Sequence, residues 1–153
     1  MVDHAVDRLS AYVERTLGAH AAYALHYHAV WSVRARRPLL QQAVAQELHE
    51  CLLALAGGAG ARLLAFHIEP DHVHVLFSLA PTQAVATAIK RLKGGSARQL
   101  RRRFPELVAS EQDSLWSTGY FVRSLGDINV AQAKAYLDRQ RAHHALEGRG
   151  PAD

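Results

Sequence analysis

Two pairs of residues in this sequence have the types and spacing to do chemistry. His72 and His74 lie within Glu69-Pro70-Asp71-His72-Val73-His74-Val75-Leu76-Phe77-Ser78-Leu79. That stretch alternates with a period of two, the pattern of a half-buried β-strand. His72, His74, Leu76 and Ser78 share one face, and Val73, Val75, Phe77 and Leu79 share the other, core-like face. Side chains two apart on a strand point the same way, so the imidazoles stand side by side. Neutral imidazole is a common metal ligand, and two on a rigid strand make half of a site. A His-x-His pair alone is as readily a chance or surface pair. Much further along, Tyr136 and Gln140 are four residues apart and would share one face of a helix. The plain reading is a packing aromatic beside a solvated amide. In the other reading, the glutamine carbonyl completes a metal site begun by two histidines. The tyrosine, one turn away, then reaches a phosphate polarised by that metal. A phenol has a pKa of about 10 and needs activation to act as a nucleophile, and a bound cation can polarise the phosphoryl oxygens.

The elements that must position these residues can be read from periodicity and turn chemistry. Tyr23 to Val33 is aromatic and β-branched and reads as a first strand. Pro38 suits a helix start, Leu39 to Leu55 recur at helical spacing, and Gly57-Gly58 end that helix. Ala61 to Glu69 reads as a second strand, joined by Pro70-Asp71 to the His-x-His strand as a hairpin. A helix then starts at Pro81-Thr82, with Thr82 as its N-cap, and Gly94-Gly95 is expected to break or kink it before a basic helix from Ser96 to Phe104. Leu115 to Ser124 reads as a fourth strand and Ile128 to about Leu146 as a last helix. The order β-α-β-β-α-β plus a helix is the split βαβ, ferredoxin-like pattern, an α+β fold. Residues 1–18 read as an N-terminal extension with a short helix around Val6 to Leu17, 19–147 as one domain and 148–153 as a loose tail. The fold hosts many functions and decides little by itself.

Charge distribution narrows the partner. The 153 residues carry a formal charge of +4, a modest pointer to an anionic partner. From Thr82 to Phe104 there are seven cations and no acid: Lys90, Arg91, Lys93, Arg98, Arg101, Arg102 and Arg103. Such a run is commonly a solvated helix face, but clustered cations without acids also bind phosphate backbones. Arg34, Arg36 and Arg37 form a second basic cluster. Trp31, Trp116, Tyr120 and Phe121 could stack on bases, though core packing is the expected fate of most. Cys51 is the sole cysteine, expected in the core, so neither a disulfide framework nor a cysteine zinc site is available. The apolar runs fall well short of a membrane span, and the N-terminus has no secretory pattern. A cytoplasmic protein with no membrane partner is expected.

Five stretches together carry a family resemblance. They are Tyr27-His28-Ala29-Val30-Trp31 with the basic Arg34 to Arg37; Pro70-Asp71-His72-Val73-His74; Leu92-Lys93-Gly94-Gly95-Ser96 leading to Phe104-Pro105-Glu106-Leu107; Leu115-Trp116 with Gly119-Tyr120-Phe121-Val122; and Ala135-Tyr136-Leu137-Asp138-Arg139-Gln140. In that order the chain resembles the single-tyrosine HUH transposases of the insertion-sequence 200/605 type, over roughly residues 20 to 144. The resemblance implies that His72 and His74 are metal ligands, Gln140 a third ligand and Tyr136 the nucleophile. It implies Mg2+ or Mn2+, and a substrate of single-stranded DNA at hairpin-marked ends of a mobile element. Tyr136 would form a 5′-phosphotyrosine link and release a 3′-hydroxyl. It also implies a homodimer with shared active sites, the histidines from one chain and the tyrosine helix from the other. Asp71 is expected to cap its turn rather than orient a histidine. His67 is expected to be a surface residue, and His144, more than His143, is a possible substitute ligand. A repeat-associated tyrosine transposase, a domesticated non-catalytic ferredoxin-like nucleic-acid-binding module and a two-histidine hydrolase using water are the competing readings.

Overall fold

The computed structural model describes residues 16–17, 22–110, 112–126 and 128–147. A minimal hairpin of β1 (Thr16–Leu17) and β2 (Ala22–Tyr23) precedes the main sheet. The elements that follow are β3 (His26–Ser32), α1 (Gln42–Gly58), β4 (Ala61–Ile68), β5 (His72–Leu79), α2 (Val85–Arg103), β6 (Phe121–Leu125) and α3 (Val130–Glu147). The four long strands form one sheet in the order β4-β5-β3-β6, every neighbouring pair antiparallel. This is the strand order of the ferredoxin-like α+β fold expected from the sequence.

Alternation along the strands sorts the molecule into two layers. Ala29, Trp31, Val73, Val75, Phe77 and Leu79 point to one face, where Leu48 and Leu52 of α1 and Ile89, Leu92 and Leu100 of α2 close the main core. Each large side chain buried there contributes about 1.5–3 kcal/mol. His26, His28, His72 and His74 point to the opposite face, where α3 lies. Ala133 and Leu137 of α3 pack there on Leu64 and Leu76. A β-bulge between Leu63 and Ala65 turns both Leu64 and Ala65 towards α3. Strand β5 is therefore buried along its whole length rather than half-buried, because helices cover both faces of the sheet.

Several local expectations change. Pro38 does not start α1. The segment before it runs extended, and the Leu40 amide donates to the Pro70 carbonyl at 2.8 Å, tying it to the turn before β5. Thr82 is not a cap: α2 starts after Ala84, which has no side-chain capping bond. Gly94-Gly95 does not break α2, which runs unbroken through both. A Cβ on Gly95 would lie 2.7 Å from Leu55 Cδ2, so this glycine lets α1 and α2 approach closely. The first strand is divided, β2 ending at Tyr23 and β3 starting at His26. The fourth strand shrinks to Phe121–Leu125. Trp116 makes only an isolated bridge to Val33, and Gly119 at φ +87° turns the chain between them. The expected helix around Val6 to Leu17 falls outside the described residues except at its end, where Thr16–Leu17 is a strand.

Candidate active site

Register brings the chemistry together. Antiparallel pairing of β3 with β5 sets Val30 opposite His74 and Ser32 opposite His72, with His28 one position along the same face. His28 Nε2 lies 2.9 Å from His74 Nδ1, so one of these two nitrogens carries the shared hydrogen. The other His28 nitrogen, Nδ1, lies 3.0 Å from the Tyr136 hydroxyl on α3. The rings follow suit: His28 stacks on His74 at 5.2 Å between centroids and meets Tyr136 edge-on at 5.2 Å. His72 and His74 are 5.0 Å apart, ring to ring. The Arg123 guanidinium lies over the tyrosine ring, 5.4 Å from its centroid.

The second histidine has its own support. His72 Nδ1–H donates to Asp71 Oδ1 at 2.6 Å, and Arg36 Nε–H donates to Asp71 Oδ2 at 2.9 Å. Burial works against the Asp71 carboxylate, but the hydrogen bonds from His72 and Arg36 outweigh it and hold its pKa below the ordinary value. Asp71 therefore orients His72, contrary to the expectation that it only caps the turn. The tight turn Arg34–Arg36 aims Arg36 at this carboxylate, with Ala35 at φ 57° and Arg36 at φ 55°. Two successive non-glycine residues there are strained by about 1–3 kcal/mol each.

Both members of the histidine pair thus have Nδ1 engaged, His72 with a carboxylate and His74 with an imidazole. That arrangement fixes ring orientation and turns Nε2 of each towards any bound metal. No group of three His, Cys, Asp or Glu side chains able to hold a metal occurs among the described residues. Gln140, the expected third donor, is half-buried one turn beyond Tyr136. His67 is half-buried and pairs with Glu69 at 2.6 Å, directly across the strands from His74, rather than lying on the surface. The side chains of His143 and His144 lie outside the described residues.

Comparison with known proteins decides the family. The model of the IS200-like transposase family matches residues 21–140. The chain belongs to that family. The ISDra2 transposase TnpA of Deinococcus radiodurans is 33% identical over 129 residues, covering 84% of this chain and 92% of the relative. A crystal structure of a Deinococcus radiodurans R1 protein described as a transposase superposes with a TM-score of 0.67 at 31% identity, over 82% of this chain and 97% of that one. A REP-associated tyrosine transposase bound to a REP hairpin shares the fold, with a TM-score of 0.53 at 13% identity over 81% of this chain and 68% of that one.

In this IS200-like transposase the sequence reading missed two site residues, His28 and Arg123. His28 stood among the residues that carry the resemblance, and its even spacing from Val30 and Ser32 puts it on the histidine face. Only the strand register, which a sequence does not state, brings it to His74. The tyrosine helix rests on the sheet of its own chain, where His28 stands between His74 and Tyr136.

The predicted nucleic-acid residues separate into engaged and open groups. Lys93 is half-buried, and its ammonium donates to the carbonyls of Ser117 and Gly119 at 3.0 and 2.6 Å; burial pushes its pKa down. It holds the loop before β6. Arg36 is engaged with Asp71, Arg34 pairs with Asp113 at 3.2 Å, Arg91 donates to the Gly58 carbonyl and Arg101 to the carbonyls of Ala97 and Asp113. Arg37, Lys90, Arg98, Arg102 and Arg103 are exposed. All of the α2 cations lie across the sheet from Tyr136. Trp31 and Trp116 are core, edge to face at 6.1 Å, whereas Tyr120 and Phe121 are exposed, Phe121 by 56% and edge-on to His28. Cys51 lies in the core side of α1, and burial, then Glu47, raises its thiol pKa. No described helix is long and apolar enough to cross a membrane.

Proposed function

We propose that this IS200-like transposase cleaves and rejoins single-stranded DNA through a covalent 5′-phosphotyrosine link at Tyr136. The observation that carries this reading is the Tyr136 hydroxyl 3.0 Å from His28, itself 2.9 Å from His74. A phenol held one imidazole away from the histidine pair is poorly explained by packing alone. In the step, the bond from Tyr136 Oη to phosphorus forms as the bond from phosphorus to the 3′-oxygen breaks. The phenol proton goes to water, and the departing oxygen takes up a proton to become the 3′-hydroxyl. Attack by a 3′-hydroxyl on the phosphotyrosine reverses these changes and reseals a strand without ATP.

His72 and His74 would hold a divalent cation through Nε2, with the Gln140 carbonyl as third donor. Three protein donors leave further positions for water and phosphate oxygens, which Mg2+ and Mn2+ favour. Bound there, the cation would draw charge from the phosphate oxygens. Asp71 and Arg36 hold His72 in the required tautomer. Arg37, Lys90, Arg98, Arg102 and Arg103 supply phosphate contacts, and exposed Phe121 and Tyr120 offer faces for unpaired bases. The REP-associated tyrosine transposase of this fold was captured on a hairpin, which supports a hairpin-marked substrate.

The test is capture of a denaturation-resistant protein–DNA adduct on incubation with single-stranded hairpin DNA and Mg2+. Tyr136→Phe should lose the adduct and keep folding and DNA binding. A second test bears on assembly, the family resemblance implying a homodimer. Mixed His74→Ala and Tyr136→Phe chains should recover cleavage if the dimer shares its sites. A mixture that stays inactive despite heterodimer formation would mean that each chain builds its own site.

A further inference from the structure

We propose that His28 is a positioning residue that couples the metal site to the nucleophile, handing Tyr136 a hydrogen bond when His74 carries metal. The inference rests on the proposed roles of His74 and Tyr136. His28 is 3% exposed, and both of its ring nitrogens are within hydrogen-bond reach of these two residues. A neutral imidazole carries one hydrogen, so one ring nitrogen donates and the other accepts.

That constraint makes the chain of bonds a two-state element. In one state the Tyr136 hydroxyl donates to His28 Nδ1, and His28 Nε2–H donates to His74 Nδ1. His74 then carries its hydrogen on Nε2 and cannot bind a metal there. In the other state His74 Nδ1–H donates to His28 Nε2, and His28 Nδ1–H donates to the Tyr136 oxygen. Metal at His74 Nε2 is compatible only with the second state. Loading therefore turns the hydroxyl hydrogen of Tyr136 away from His28 and fixes the oxygen by a donated bond. A donated hydrogen bond stabilises negative charge developing on that oxygen. The same geometry excludes His28 as the proton acceptor in the loaded protein; the phenol proton leaves to water.

Two amides separate the halves of the relay. Asparagine places a side-chain N–H near the position of Nδ1, so His28→Asn keeps the bond to Tyr136 and loses the one to His74. Glutamine reaches the position of Nε2, so His28→Gln keeps the bond to His74 and loses the one to Tyr136. The measurements are Mn2+ affinity by titration calorimetry and adduct formation with single-stranded hairpin DNA at saturating Mn2+. His28→Asn should weaken Mn2+ binding by about 10–100-fold and, at saturating Mn2+, slow adduct formation about tenfold less than His28→Gln does. His28→Gln should leave Mn2+ affinity within about threefold and slow adduct formation by about 10²-fold. Parallel loss of both properties in two folded variants, or retention of both, would overturn the coupling. Should either variant fail to fold, the ring 15N spectrum of the unsubstituted protein decides. With Mg2+ present His28 must carry its hydrogen on Nδ1, and finding it on Nε2 overturns the proposal. Absence of any adduct from the unsubstituted protein would instead defeat the assignment of Tyr136, a result separable from the tautomer and the metal affinities.

Discussion

The two faces of the sheet are built from the same strands and differ in almost everything else. Odd-numbered positions of β3 and β5, such as Ala29, Trp31, Val73, Val75 and Phe77, meet two helices in a large apolar core. Even-numbered positions place His26, His28, His72 and His74, all at most 9% exposed, beneath one helix. Among the described residues the apolar cluster on that side is small, with Leu64, Leu76, Ile128, Ala133 and Leu137. Stability is concentrated on one face and reactive groups on the other. Tyr136 meets the histidine face through the hydrogen bond to His28 and the edge-on contact of the two rings. That division lets the reactive face bear buried polar groups without endangering the fold.

Substitutions that separate the faces should separate folding from activity. The largest effect is expected from His72→Ala and His74→Ala, which should each lower strand cleavage by about 10⁴-fold or more, as for residues that act as a unit. Binding of hairpin DNA should persist, because the exposed cations of α2 lie across the sheet. Loss of DNA binding with Mn2+ affinity intact would contradict this division. Next comes the core face. Phe77, fully buried, should cost about 3–5 kcal/mol on truncation to alanine, read by urea unfolding. The adduct-forming rate per folded molecule should change little.

Much of this division was legible in the sequence. Alternation through His72 to Leu79 assigned the histidines to one face, and helical spacing joined Tyr136 to Gln140. What was not legible depends on register and on close approach. His28 meets His74 only because β3 and β5 pair with Val30 opposite His74. Gly95 reads locally as a helix breaker, but the neighbouring Leu55 makes it a contact residue. Lys93 reads as one cation among seven until the loop carbonyls of Ser117 and Gly119 are found against it. Asp71 sits where a turn residue belongs, and nothing local reveals that Arg36 and His72 converge on it.

Smaller effects sharpen the comparison. Asp71→Asn should weaken Mn2+ binding by about 10–100-fold, because it removes the carboxylate that fixes the His72 tautomer. Calorimetry measures this, and unaltered affinity would mean that the backbone alone orients His72. Replacing Arg102 and Arg103 by glutamine should reduce the salt dependence of single-strand binding by about 0.7 per lost phosphate contact. The same change at Lys93 should chiefly loosen the loop before β6, lowering thermal stability more than it alters the salt slope.

The central claim is that Tyr136 is the residue that joins to DNA. The most direct measurement is peptide mapping by mass spectrometry of the adduct formed with single-stranded hairpin DNA and Mg2+. The account predicts a nucleotide attached through a 5′-phosphate to the peptide containing Tyr136, and no adduct from Tyr136→Phe. Attachment at another tyrosine, Tyr120 above all, or strand cleavage by water with no covalent product, would contradict it.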